Sequence, residues 1–100
     1  MKSNVDFTQI NKKTYDITLK SGRILNILPP TLSMINDLNA MIEDHPIESA
    51  YQLVYCIFNH NRNKVTVPIE EIEQQYDKFD INAIIADYTM FCREILKDPN

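Results

Sequence analysis

The stretch Tyr15-Asp16-Ile17-Thr18-Leu19-Lys20-Ser21-Gly22-Arg23-Ile24-Leu25-Asn26-Ile27-Leu28-Pro29-Pro30-Thr31 decides the fold of this chain. Tyr15, Ile17 and Leu19 alternate with Asp16, Thr18 and Lys20, the period of two that marks a strand with one buried face. Ser21-Gly22 is the turn. A three-residue loop, Lys20 to Gly22 with Gly22 at positive φ, sets Ile17 opposite Leu25 and Tyr15 opposite Ile27. A two-residue loop would instead put Asn26 opposite Ile17 and break the apolar face, so the longer loop is predicted. Pro29-Pro30 ends the second strand, because proline has no N–H for a ladder. Two strands alone are marginal, so this hairpin has to lie against helices.

Those helices follow directly. Thr31 is the expected N-cap of a first helix carrying Met34, Ile35, Leu38, Met41 and Ile42, and His45 before Pro46 is biased out of it. Pro46 suits the opening turn of a second helix. Its apolar residues, among them Ile47, Ala50, Leu53, Val54, Ile57 and Phe58, cover more than half the circumference, the mark of a central helix. Residues 59–63 are five polar residues in a row and read as a loop, and Lys64 to Val67 as a short extended piece. Pro68, Glu70 and Glu71 open a third, short helix that turns Ile69, Ile72 and Tyr76 inward; acids in a first turn oppose the helix dipole favourably.

The last helix has the strongest pattern. Asp80 is its expected N-cap, with Phe79 and Ile84 as a hydrophobic staple. Ile81, Ile84, Ile85, Tyr88, Phe91, Cys92, Ile95 and Leu96 fall on one stripe, and Pro99 stops the helix. The fold class expected is α+β and mainly helical: an N-terminal β-hairpin followed by about four helices. Residues 1–13, polar with isolated Val5, Phe7 and Ile10, are expected to be a flexible arm, and residues 14–98 a single hairpin-plus-helices domain.

Composition removes several classes of function. At 100 residues and 11.7 kDa the chain is of one-domain size, with 44% apolar and 24% charged residues. No apolar run approaches the length of a membrane span, and the amino terminus lacks the apolar core of a signal peptide. Two cysteines make no disulfide framework and fit a reducing compartment, here the cytoplasm. One glycine excludes the glycine-rich phosphate loops. Residues 1–30 carry five basic and two acidic side chains, a net of +3; the remainder carries five basic and twelve acidic, a net of −7. An acidic body repels nucleic-acid phosphates and anionic lipid, so neither is an expected partner.

Catalytic constellations are missing. His45 and His60 stand fifteen apart without metal-ligand spacing, and Cys56 and Cys92 sit in apolar helices, where buried structural thiols are expected. Ser3, Ser21, Ser33 and Ser49 lack a nucleophile-elbow context. Glu70, Glu71, Glu73, Asp77 and Asp80 read as a solvated helix face plus a cap, since the calcium-loop pattern is absent. No catalytic, cofactor-binding or metal-binding residue is therefore expected, and the protein reads as a non-enzyme. What remains is surface: a second, smaller stripe on the last helix, Ala83, Ala86 and Met90, suited to close approach by a partner helix.

The order of these elements resembles a known family. A strand, a Ser-Gly turn, a second strand ending Leu28-Pro29-Pro30-Thr31, then Ile57-Phe58-Asn59-His60-Asn61-Arg62, Lys64-Val65-Thr66-Val67, and Phe79-Asp80-Ile81 leading to Ile84-Ile85-Ala86-Asp87-Tyr88-Thr89-Met90-Phe91 are similar to the small tail assembly chaperones of long-tailed bacteriophages and prophages of Gram-positive bacteria. The similarity runs from about Thr14 to Leu96. It implies a cytoplasmic protein, absent from the mature virion, that binds the tape measure protein. It also implies that an extended, frameshifted form binds tail tube protein. The family supplies no set of binding residues to carry over. The alternative is a small non-enzymatic adaptor or regulatory protein-binding domain.

Overall fold

The computed structural model describes residues 13–44 and 47–97. Strands β1 (Tyr15–Thr18) and β2 (Ile24–Ile27) pair antiparallel, and helices α1 (Leu32–Asp44), α2 (Ile47–Asn59), α3 (Ile69–Gln75) and α4 (Lys78–Lys97) follow. The chain is thus an α+β fold dominated by helix. The expected arm, apart from Lys13, lies outside the described residues, as do the helix break at His45-Pro46 and the stop at Pro99. The side chains of Met41, Ile42 and Leu96 also lie outside them.

The hairpin has the register its alternation predicts: Tyr15 faces Ile27, Asp16 faces Asn26 and Ile17 faces Leu25. Leu19 N–H donates to Arg23 C=O at 2.8 Å and Gly22 N–H to Leu19 C=O at 2.8 Å, which closes the three-residue loop. Gly22 takes φ +92° with open space where a Cβ would stand, so only its backbone conformation calls for glycine.

The stretch read as a plain loop is a packed element. Leu28 N–H donates to His60 C=O, and Arg62 N–H to Asn26 C=O, both at 2.8 Å, so residues 60–62 run along the outer edge of β2. Asparagine side chains hold this segment in place. Asn61, 7% exposed, donates to Phe58 C=O (2.8 Å) and Val65 C=O (2.9 Å) and accepts from Val65 N–H (3.0 Å). Asn59 donates to Tyr55 C=O and Val67 C=O and accepts from Val67 N–H. Asn63 exchanges two bonds with Asn26. Each carboxamide can donate twice and accept, so it satisfies backbone groups that no ladder reaches. The expected extended piece at Lys64 to Val67 makes no strand, and Lys64 sits at φ +56°.

Helix α2 is central. It buries Ala50, Leu53, Val54, Ile57 and Phe58 and packs against β2, α1, α3 and α4. Complete burial of such side chains is worth about 1.5–3 kcal/mol each. Its apolar arc is narrower than the sequence suggests, because Ile47 stays 41% exposed at the first turn.

The start of α4 also differs from expectation. The helix begins at Lys78, with Asp77 in the capping position: Asp77 Oδ1 accepts from Asp80 N–H at 2.9 Å and Asp80 Oδ2 accepts from Asp77 N–H at 3.0 Å. This reciprocal pair satisfies two end donors at once, an aspartate version of the capping box. Phe79 is thereby carried into the first turn on its outer side, 83% exposed, and forms no staple with Ile84.

Candidate functional site

The three residues singled out on the last helix are all exposed, Met90 to 60%. They share one shallow depression with Tyr15, Ile84 and Asp87, so the structure brings them together and sets them beside β1. The placement follows from how α4 is pinned to the hairpin. Tyr15 hydroxyl donates to Asp87 Oδ2 at 2.7 Å, and its ring packs on Tyr88 and Phe91, each with centroids 5.7 Å away. The middle of α4 is thus fixed by aromatic contact. Its first turn is fixed by charge, where Lys20 Nζ meets Asp80 Oδ2 at 2.6 Å and lies over the Tyr76 ring at 5.1 Å from its centroid. Between these fixed points Ala83 and Ile84 line a second depression against Ile17 and Lys20. The result is a continuous trough between the edge of β1 and α4, floored by small and aliphatic side chains.

Electrostatics around the trough are those of a surface. The ion pair with Lys20 holds the Asp80 carboxyl below the usual carboxylate range, helped by Asp77 N–H, and Asp80 in turn pushes the Lys20 ammonium up. Asp16, bonded by Thr14 and Asn26, is likewise lowered. Burial pushes the hydroxyls of Tyr15 and Tyr88 well above the usual phenol range, Tyr15 with added help from Asp87.

The remaining candidates from the sequence separate. Cys92 is buried, as expected, whereas Cys56 is exposed on α2; partial burial pushes both thiols up, the opposite of an activated nucleophile. His60 places Nε2 at 2.9 Å from Pro29 C=O. Glu70, Glu73 and Asp77 are exposed, Glu71 is half-buried, and Asp80 belongs to the pair with Lys20. Among the described residues no three His, Cys, Asp or Glu side chains gather as metal ligands, and no helix is long and apolar enough to cross a membrane.

Sequence reasoning missed one further surface. An apolar groove of about 210 Å³ opens between α1 and α4, lined by Pro29, Pro30, Ile35, Leu38, Cys92 and Ile95. Its signal is the proline pair itself: two rigid residues that leave β2 and line the groove wall. The chain matches no family model, no curated protein and no solved structure.

Proposed function

We propose that this domain is a tail assembly chaperone of a long-tailed bacteriophage or prophage. In the host cytoplasm it shields the tape measure protein until tail tube protein assembles around it. The observation that carries the reading is the exposed strip Ala83, Ala86 and Met90, set in the trough beside β1; the resemblance in element order supports it.

The physical logic is direct. A long amphipathic helix without its sheath exposes an apolar stripe and aggregates. Ala83 and Ala86 let a helix backbone come close, and Met90 adapts its shape to the surface it meets. A net charge of −4 keeps the shielded complex soluble. The shield has to come off, so each contact is modest and several copies act together.

The test is co-expression with tape measure protein. Ala86→Asp, on the exposed side of α4, is expected to abolish co-purification and leave the circular dichroism spectrum unchanged; co-purification that survives removes the strip from the reading. Gene order separates this function from a regulatory adaptor: the chaperone gene lies between a tail tube gene and a very long helical-repeat gene.

A further inference from the structure

An antiparallel strand alternates residues that bond across the ladder with residues whose N–H and C=O point away from it. Leu19 N–H donates to Arg23 C=O, so Tyr15 and Ile17 also bond inward, and Asp16, Thr18 and Lys20 turn their backbone groups outward. On β2 the outward groups are taken: Asn26 by Arg62 N–H and the Asn63 carboxamide, Leu28 N–H by His60 C=O. On β1 the Lys20 N–H donates to the Tyr76 hydroxyl at 3.0 Å. The outward groups of Asp16 and Thr18 meet no partner among the described residues. Helix α4 runs antiparallel beside this edge: Asp80 bonds Lys20, Asp87 bonds Tyr15, and Ala83 lines the trough next to Ile17. A free strand edge and an exposed strip of small residues therefore lie side by side, and such an edge is a template for one more strand.

We propose that this surface is an interface between two copies of the chain, related by a two-fold axis through Ile17, with β1 pairing antiparallel to β1 of the second copy. A two-fold contact needs a surface that matches itself, and the edge restricts where the axis can pass. Centred on Asp16, the register sets two carboxylates directly opposite each other, which is destabilising. Centred on Thr18, it calls on the Lys20 N–H that the Tyr76 hydroxyl already holds. Centred on Ile17, Asp16 stands opposite Thr18 of the second copy, and each such pair exchanges both its N–H and its C=O groups. Every outward group of the two residues is then satisfied. Tyr15, Ile17 and Leu19 keep to the face toward α4 and meet only one another across the seam. Paired strands stand about 4.8 Å apart, which draws the two α4 helices together at about the 8–10 Å where helices pack. Exposed Ala83 and Ala86 face their own copies there, small enough to allow the approach. A four-stranded sheet replaces two hairpins that are each marginal alone. The dimer stands on this geometry; it covers the strip assigned above to tape measure protein, and the statement that this partner splits the dimer rests on that proposed function.

Analytical ultracentrifugation and residue-resolved amide exchange on the full chain test it. The wild type is expected to sediment at twice the 11.7 kDa chain mass, and Ala83→Glu, which sets carboxylates on the seam, at the single mass. At matched concentration, the Asp16 and Thr18 amides are expected to exchange about tenfold more slowly in the wild type. Leu19 N–H, bonded to Arg23 C=O within each hairpin, exchanges alike in both proteins and shows that the fold is intact. Thr18→Pro removes an outward donor, leaves the inward bonds of β1 in place and is also expected to be monomeric; should it fail to fold, the Ala83→Glu comparison decides. A wild-type monomer, a dimer that survives both substitutions, or a dimer whose Asp16 and Thr18 exchange as fast as in monomeric Ala83→Glu overturns the interface and leaves the proposed function standing. Tighter binding of tape measure protein by Thr18→Pro than by the wild type supports the competition for the strip. If neither binds it while the dimer forms, the interface stands and the proposed function falls.

Discussion

The two flanks of the hairpin invert the usual expectation about polarity. Beside β2 lies Asn59-His60-Asn61-Arg62-Asn63, without one apolar residue, yet it is bonded along the strand and its Asn61 is buried. Beside β1 lies a trough of alanine, isoleucine and methionine, open to solvent, with outward backbone groups that meet no partner among the described residues. Polar residues build structure on one side, and apolar residues are left available on the other. A polar side chain is held inside when backbone groups around it need partners. An apolar one is left outside when nothing in the fold requires its burial.

The largest effect is expected on the closed flank. Asn61→Ala deprives Phe58 C=O, Val65 C=O and Val65 N–H of partners; at about 1 kcal/mol each, the loss is about 3 kcal/mol in urea denaturation. A loss below about 0.5 kcal/mol, the scale of an ordinary surface change, would return this stretch to a plain loop and break the contrast. Tyr88→Phe comes next. It keeps the fully buried ring against Tyr15 and Phe91 but strips the 2.9 Å donor from Leu28 C=O, where β2 gives way to Pro29. The expected cost is about 1–2 kcal/mol by the same measurement.

The smallest effect belongs to the open flank and is read in its pH dependence. Asp80 is ionised more readily folded than unfolded, where its pKa is about 3.9. Its contribution is therefore complete above that value and is lost as pH falls through the lower folded one. Asp80→Asn is expected to flatten the fall in melting temperature between about pH 5 and pH 3. Identical slopes in the two proteins would mean that the pair with Lys20 does not hold α4 to the hairpin.

Legibility in the sequence followed the range of the interactions. The hairpin register could be read because a period of two and one glycine are local facts, and Gly22 at φ +92° closes the predicted loop. The Thr31 cap, bonding Met34 N–H at 3.3 Å, is equally local. The sequence pattern sets the start of α4 three residues late, because Asp77 and Asp80 both suit a cap and Phe79 resembles a staple; only the reciprocal bonds decide between them. The asparagine segment could not be read, since the partners of Asn63 and Arg62 lie at Asn26, across the fold. Cys56 and Ile47 escaped for another reason: on a helix with a wide apolar arc, periodicity does not say which rim meets solvent. The strip Ala83, Ala86 and Met90 was legible as a second face on a helical wheel, but its neighbour across the trough, Tyr15, was not.

Helix α2 touches β2 and all three other helices. A layout with such a hub leaves little room for piecemeal opening, because fraying any neighbour uncovers the same buried row from Ala50 to Phe58. The expected melting is therefore concerted, with a single transition for the described array in calorimetry. Excised hairpin or α4 peptides would have no structure of their own to keep.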